Sequence, residues 1–185
     1  MKIWMNITMA ASLLAASALA QSSQVGQRQA NQQDRIAQGV GSGSLTAGET
    51  SNLESKEAAI NHEVRTDRSL NGGQLTNQQK AIVNQQQNQM SKQIYNDKHN
   101  AAAQNFANSE VGQRQQNQQN RIANGIASGK LNAGQASRLE KGESAVNQEV
   151  RTDRKINGGK LSGAEKKQVN QQQNTLSKRI YKAKH

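Results

Sequence analysis

The chain lacks cysteine and proline entirely, and its 185 residues include four aromatic side chains: one Trp, two Tyr and one Phe. Without cysteine there is no disulfide, no thiolate ligand for zinc and no thiol nucleophile. So few large apolar side chains leave little area to bury, so each folded unit should be only modestly stable. Motifs such as G-x-S-x-G, H-E-x-x-H and the phosphate-binding glycine loop are also missing. We therefore predict that the protein is not an enzyme.

Long apolar runs are confined to the first 20 residues. There, Lys2 precedes an apolar stretch of small residues, and Ala18-Leu19-Ala20 fits the small-x-small cleavage pattern of a secretory signal. The stretch is shorter than the roughly 20 residues that cross a bilayer. We therefore expect residues 1–20 to be a cleaved signal peptide. The mature chain would then be periplasmic or secreted and have no transmembrane segment.

The main feature of the sequence is an internal duplication. Residues 25–99 recur without gaps as residues 111–185, with 46 of the 75 positions identical. The sequence therefore predicts two copies, residues 21–99 and 111–185, joined by a linker over residues 100–110. Asn and Gln together number 47, so the repeated unit is unusually rich in amides.

Each copy has the pattern of three helices. The first covers residues 22–40 and 109–126, and Asn-Gly-Gly at 71–73 and 157–159 marks the turn between the second and third. These later helices open with capping boxes at Thr46, Thr76, Asn132 and Ser162. The Leu before each cap is expected to plug the core. No segment alternates as a strand does, so we predict an all-α fold, two tandem copies of a three-helix unit.

A narrow apolar stripe with spacings of seven and then four residues runs along the second and third helices of each copy. Its members are Leu53, Ile60, Val64; Val83, Met90, Ile94; Leu139, Val146, Val150; and Val169, Leu176, Ile180. We expect this stripe to be buried, with one tyrosine, Tyr95 or Tyr181, anchoring each core. The carboxylates that recur in both copies, including Glu54, Glu57, Glu140 and Glu143, are expected on polar helix faces. The repeated Asn-Gln-Gln-Gln-Asn blocks at 84–88 and 170–174 are expected to form a hydrogen-bonding polar face.

One turn resembles the first half of a calcium-binding EF-hand loop. Asp67, Ser69 and Asn71 supply oxygen atoms at its first, third and fifth positions, and Gly72 follows at the sixth. Position 12 is Gln78 instead of a bidentate Glu, and the second copy has Lys155 at the third position. The loop is therefore degenerate. No cofactor is expected, although binding of calcium or a transition metal by Asp67, Ser69 and Asn71 stays open.

Positive charge is concentrated in the second copy. Residues 25–99 carry 8 Lys and Arg against 7 Asp and Glu, whereas residues 111–185 carry 15 against 5. The imbalance favours an anionic partner. The residues predicted to bind it are Lys155, Lys160, Lys166, Lys167, Lys178, Arg179, Lys182 and Lys184. Because base-stacking aromatics are missing, no sequence-specific nucleic acid is expected.

The repeated motifs resemble those of a family of small exported proteobacterial proteins with no assigned activity. They are R-Q-x-x-Q-x-x-R-I-x-x-G-x-x-S-G-x-L, then N-G-G-x-L, then S-K-x-I-Y-x-x-K-H, in this order in both copies. Separately, L-T-x-x-Q at residues 75–79 resembles the motif of the periplasmic stress chaperones related to Spy and CpxP. That second resemblance implies an all-α, cradle-shaped dimer that binds unfolded or metal-stressed clients.

The sequence therefore favours an exported, non-enzymatic binding protein. Its partner would be another protein or an anionic polymer of the envelope, and a homo-oligomer is left open. Two alternatives remain: a periplasmic chaperone or metal-stress protein, and a cation-binding protein that uses the degenerate turns.

Overall fold

The computed structural model describes the backbone of residues 8–185 and the side chains from residue 24 onward, so all side chains of the predicted signal peptide lie outside the described part. The described residues form helices and no strand, which confirms the all-α prediction. The helices are α1 (Thr8–Ser42), α2 (Ala47–Leu70), α3 (Asn77–His99), α4 (Glu110–Ala127), α5 (Ala133–Ile156) and α6 (Gly163–Lys184). Within the described part of the chain, none of them is both long and apolar enough to cross a bilayer.

All four predicted capping boxes are present. In α2, the Thr46 hydroxyl accepts from the Glu49 amide at 3.3 Å, while the Glu49 carboxylate accepts from the Thr46 amide at 2.9 Å. The same reciprocal pair opens α3, α5 and α6. The α2–α3 and α5–α6 turns pass through glycines with positive φ, such as Gly72 at 63°, a conformation that L side chains rarely adopt. Local sequence therefore determines where these helices start and turn back.

The predicted apolar stripe is buried in both copies, and so is the leucine before each cap. At the outer end of each copy the stripe forms a small cluster of its own, around Val83 in the first and Val169 in the second. Each copy is thus a three-helix unit with a thin core.

The inner ends of the two copies share one larger cluster. Seven residues come from each copy: Ile36, Ala37, Val40, Leu45, Leu53, Met90 and Ile94, with Ile122, Ala123, Ile126, Leu131, Ala136, Leu139 and Ile180. The most extensive helix contacts of the molecule also join the copies, α2 against α5 and α1 against α4. The two copies therefore fold against each other as one body.

Equivalent residues meet at this contact. The Ser51 hydroxyl donates to the Ser137 carbonyl at 3.1 Å, and the Ser137 hydroxyl donates to the Ser51 carbonyl at 3.0 Å. These serines occupy the same position of the repeat, as do α2 and α5 themselves. Reciprocal contact between equivalent residues is the signature of a two-fold axis. The molecule is thus a pseudo-two-fold dimer made from one chain.

The linker between α3 and α4 lies against the first copy. The Gln104 amide donates to the Gly43 carbonyl at 2.8 Å, and its side-chain oxygen accepts from the Ala47 amide at 2.8 Å. Residues 101–107 are not helical, although Ala101–Ala103 alone could have continued a helix. These bonds satisfy backbone groups of the α1–α2 turn as well as those of the linker.

Candidate functional site

Polar side chains occupy much of the interior. Twelve buried residues of the described chain are polar or charged: Gln32, Thr50, Glu54, Glu57, Gln87, Gln115, Gln118, Gln119, Glu140, Glu143, Asn147 and Gln173. Most of them are members of equivalent pairs from the two copies. An interior of this kind is costly unless its groups are hydrogen-bonded or uncharged. These buried residues are therefore expected to be either hydrogen-bonded or uncharged.

The glutamines of the R-Q-x-x-Q-Q motif hold the first helix of each copy onto the third. In the first copy the Gln32 amide donates to the Gln87 carbonyl at 2.7 Å and to the Ser91 hydroxyl at 2.9 Å. In the second copy Gln118 makes the equivalent bonds at 2.8 and 3.2 Å. This motif is structural, because its amides replace the apolar contacts that a helix with so few apolar side chains cannot make.

The two glutamine-rich blocks do not form only an outer polar face as expected. Gln87 and Gln173, at their centre, are fully buried, and their amides donate to the Val25 and Val111 carbonyls at 3.0 Å. Other members bond across the copy, as when Gln86 donates to Glu63 at 2.7 Å. The amides of these blocks are therefore largely engaged inside the molecule.

Four glutamates lie in the interior, and the expectation that they line polar helix faces is wrong. Glu54 and Glu57 on α2, and Glu140 and Glu143 on α5, have no exposed surface. The reason lies in the apolar stripe itself. Two stripe residues seven positions apart leave one position between them on the same helix face, and no apolar residue occupies it. Glu57 fills the gap between Leu53 and Ile60. Glu143, Gln87 and Gln173 fill the equivalent gaps, so the spacing of the stripe contains the signal for their burial.

We call Glu54, Glu57, Glu140 and Glu143 the carboxyl seam. Glu54 accepts one bond from the Gln33 amide at 3.1 Å, and Glu140 accepts one from the Gln119 amide at 2.8 Å. The other oxygen of each has no hydrogen-bond partner, and neither does either oxygen of Glu57 or Glu143. Such carboxyls are far less costly to bury protonated than ionised.

The environment shifts these groups toward the neutral form. Burial, reinforced by the nearby Glu57, raises the pKa of Glu54 to about 8, with the Gln33 hydrogen bond opposing the shift. Burial also raises the pKa of Glu57 to about 7 and that of Glu143 to about 8, in the latter case against the attraction of Arg121. The pKa of Glu140 is raised well above its ordinary value, first by burial and then by the charges of Glu143 and of Glu54 in the other copy, with the Gln119 hydrogen bond opposing the shift.

Two of the three side chains predicted to bind a cation, those of Ser69 and Asn71, are engaged in the turn, and Asp67 takes part through its backbone carbonyl. The Ser69 hydroxyl donates to the Thr66 carbonyl at 2.7 Å, and the Asn71 amide donates to the Asp67 carbonyl at 2.8 Å and to Gln79 at 3.0 Å. Over the described residues, the side chains of His, Cys, Asp and Glu nowhere form a group of three or more that could hold a metal ion. Calcium binding by Asp67, Ser69 and Asn71 stays a prediction, to be tested by titration of the protein with calcium.

The predicted basic residues fall into two groups at opposite ends of α6. Lys155, Lys160, Lys166 and Lys167 surround the α5–α6 turn, whereas Lys178, Arg179, Lys182 and Lys184 lie in the last turns of α6. Lys178 follows Lys167 by eleven positions of helix, which is a rise of about 16 Å along the axis. All are exposed except Lys184, which is half-buried because its ammonium donates to the Arg121 carbonyl at 3.2 Å.

A cavity of about 400 Å³ adjoins the group at the α5–α6 turn. Arg154, Lys160 and Lys166 line it opposite the first residues of α4, with Val111 and Leu161 among its apolar residues and Glu110 as its one acidic side chain. The Arg154 guanidinium is anchored by donating to the Ser109 hydroxyl at 3.2 Å. Cations and a helix N-terminus on one cavity favour an anionic group there.

Both tyrosines lie outside the core, so their predicted role as core anchors is wrong. Tyr95 is 58% exposed and Tyr181 is 61% exposed. Their rings pack on His99 and His185, with ring centroids 4.2 and 4.6 Å apart. Each tyrosine directly follows a buried isoleucine of the stripe, and a residue next to a buried position on a helix points about 100° away from it.

Comparison of the chain with protein-family models, with curated proteins and with solved structures finds no match.

Proposed function

We propose that this protein is exported and acts by binding, and that its second copy binds an anionic polymer of the cell envelope. The observation that carries the proposal is a difference in charge between two copies of one fold. The first copy has 8 Lys and Arg against 7 Asp and Glu, and the second has 15 against 5. Since both copies fold into three helices with the same capping boxes and buried stripe, the extra charge is not required by the fold.

Position-by-position comparison of the copies supports this separation. Five of the eight basic residues replace neutral ones: Ser69, Gln74, Ala81, Gln93 and Asn96 of the first copy become Lys155, Lys160, Lys167, Arg179 and Lys182. All five cations are exposed. An exposed cation contributes little to stability but attracts anions over about a Debye length, roughly 8 Å at physiological salt.

The spacing of the two basic groups suits a polymer. With about 16 Å between them along α6, one chain of repeated negative charges could contact both groups, whereas a small anion could occupy only one. The cavity beside Arg154 provides a place for one anionic group at the outer end. Contacts of this kind are insensitive to sequence and are weakened by salt.

Binding agrees better than catalysis with the location of the titratable groups. Carboxyls with strongly raised pKa values are frequent in active sites. Here they belong to the carboxyl seam, whose members have no exposed surface for a substrate to reach. The seam therefore stands apart from the exposed basic residues, which carry the proposed function.

The test is binding of polyphosphate, as a model anionic polymer, measured by fluorescence anisotropy over a range of salt concentrations. The matched variant returns the second copy to the residues of the first: Lys155→Ser, Lys160→Gln, Lys167→Ala, Arg179→Gln and Lys182→Asn. We expect its affinity to fall strongly and its salt dependence to flatten, by roughly one unit of log–log slope for each phosphate-binding cation removed.

The complementary variant starts from this five-fold variant and places the five cations in the first copy, at Ser69, Gln74, Ala81, Gln93 and Asn96. It should recover part of the binding, because the two copies share one scaffold. Equal affinity of the original chain and the five-fold variant would contradict the proposal. A weaker affinity with an unchanged salt dependence would contradict it as well.

The chaperone alternative stays a prediction. Five large apolar side chains are exposed in the described part of the chain: Leu70, Ile82, Tyr95, Ile156 and Tyr181. They are distributed over four helices, and four of them form equivalent pairs. Suppression of aggregation of an unfolded client by the mature protein is the measurement that would favour this alternative.

A further inference from the structure

The carboxyl seam lies where the two copies meet, and the proposed function does not use it. Glu54 and Glu140 occupy equivalent positions on α2 and α5, the helices in most extensive contact, and they are close enough to act on each other's charge. Glu57 and Glu143 lie one turn further along the same two helices. The two helices that join the copies thus carry four buried acidic groups.

Few cations face this seam. Helix α1 contributes the neutral amide of Gln33, whereas the Arg35 guanidinium of the same helix donates to the Ser91 carbonyl at 3.2 Å. From α4 come Gln119 and Arg121, and Arg121 partly offsets a charge on Glu143. The buried residues of α3 and α6 are uncharged: Val83, Gln87, Met90, Ile94, Val169, Gln173, Leu176 and Ile180.

We propose that the carboxyl seam is a pH-responsive device, in which four protonated carboxyls hold the two copies together and their ionisation loosens the contact between α2 and α5. Ionised Glu54 and Glu140 would place like charges across the pseudo-two-fold axis. Six of the eight carboxyl oxygens have no hydrogen-bond donor to stabilise the charge. The remaining two have one neutral amide each.

The direction of the response follows from the sign of the shifts. Each seam carboxyl has a pKa in the folded protein above its ordinary value of 4.5, at about 7 for Glu57 and about 8 for Glu54 and Glu143. A group of this kind contributes stability that is fully present below its unfolded pKa and is lost as the pH rises through its folded pKa. The contact should therefore be tightest near pH 5 and loosen toward pH 8.

The first test is thermal unfolding of the whole exported chain, followed by circular dichroism from pH 5 to pH 8. We expect the Tm to fall by more than about 10 °C over this range. In the variant Glu57→Gln/Glu143→Gln, where a neutral isostere replaces each acid, the fall should shrink by about half. The control Glu63→Gln/Glu149→Gln makes the same change at partly exposed positions of α2 and α5 and should leave the fall unchanged.

Carbon-13 NMR of the glutamate carboxyls tests the proposal on the unmodified chain, whether or not the variants fold. Four carboxyls that titrate above pH 6.5, together with a larger radius of gyration by X-ray scattering at pH 8.5 than at pH 5, would support it. Titration of every glutamate below pH 5.5 would overturn it, and so would an unchanged Tm. Recovery of the Tm at pH 8 by Mn²⁺ and its reversal by EDTA would also overturn it, because the seam would then be a cation site.

Discussion

Two glycines, Gly39 and Gly125, are packed against the leucines that close the first turn of each copy. A Cβ at Gly39 would lie 2.6 Å from both Cγ and Cδ1 of Leu45, and one at Gly125 would lie 2.6 Å from Cδ1 of Leu131. Both leucines are almost fully buried and cannot retreat without disturbing the shared cluster. The glycines are therefore required by close packing, at a cost in helix propensity.

The variant Gly39→Ala should be destabilised by about 1–3 kcal/mol, because overpacking outweighs the roughly 0.5–1 kcal/mol that alanine gains in a helix. Urea unfolding measures the change. Gly26→Ala in the same helix is the control, since nothing lies within 4 Å of its added Cβ. It should be neutral or stabilising. A stabilised Gly39→Ala would show that Leu45 can move aside for the added methyl group.

Single residues also show where prediction from sequence stops. The apolar stripe is predictable because Leu53, Ile60 and Val64 are unambiguous. Glu57 shares their helix face, but its charge favours an exposed position when the sequence is read alone. The spacing of the stripe marks the position as buried, but it does not show the tertiary surroundings that keep a carboxyl protonated there. Tyr95 fails as a predicted anchor for the opposite reason: its ring is hydrophobic enough to be buried, but its position on the helix turns it outward.

At the scale of helices, local chemistry determines most of the structure. The four capping boxes and the two Asn-Gly-Gly turns are found at their predicted positions, because both depend on bonds between residues a few positions apart. Helix pairing within a copy follows from the stripe. Pairing between copies does not, because the stripe residues of the shared cluster would equally suit a core within one copy, and the serines that meet across the axis, Ser51 and Ser137, give no periodic signal.

Removal of one cap tests this local control. In Ser162→Ala, α6 loses the hydroxyl that accepts from the Glu165 amide at 3.3 Å. We expect a loss of about 1 kcal/mol in the free energy of unfolding. The control Thr175→Ala removes a hydroxyl from an exposed position inside the same helix and should change stability by less than about 0.5 kcal/mol. Equal effects of both variants would indicate that α6 is held by packing alone.

At the scale of the whole molecule, duplication has made a dimer from one chain. The shared cluster takes seven residues from each copy, and Ser51 and Ser137 exchange hydrogen bonds at its axis. Once joined, the copies were free to diverge outside the contact. The second copy has gained positive charge there, whereas the carboxyl seam is present in both. This division accounts for two equivalent interiors beneath two different surfaces.

The shared cluster also explains how so few aromatic and large apolar residues suffice. Neither outer cluster is large, with five or six buried residues each, and the central cluster exists only when both copies are present. A single copy would expose its half of that cluster to water. Association of the copies therefore supplies much of the stability, and the linker serves mainly to keep them at high effective concentration.

Cleavage of the linker tests this central claim most directly. A protease site inserted between Ala102 and Ala103, both exposed, would allow the folded protein to be cut between the copies. Gel filtration at pH 5 should then show the two fragments eluting together, at the position of the uncut chain. Fragments that separate at this pH and remain helical would contradict the account, because each copy would then be a self-sufficient domain.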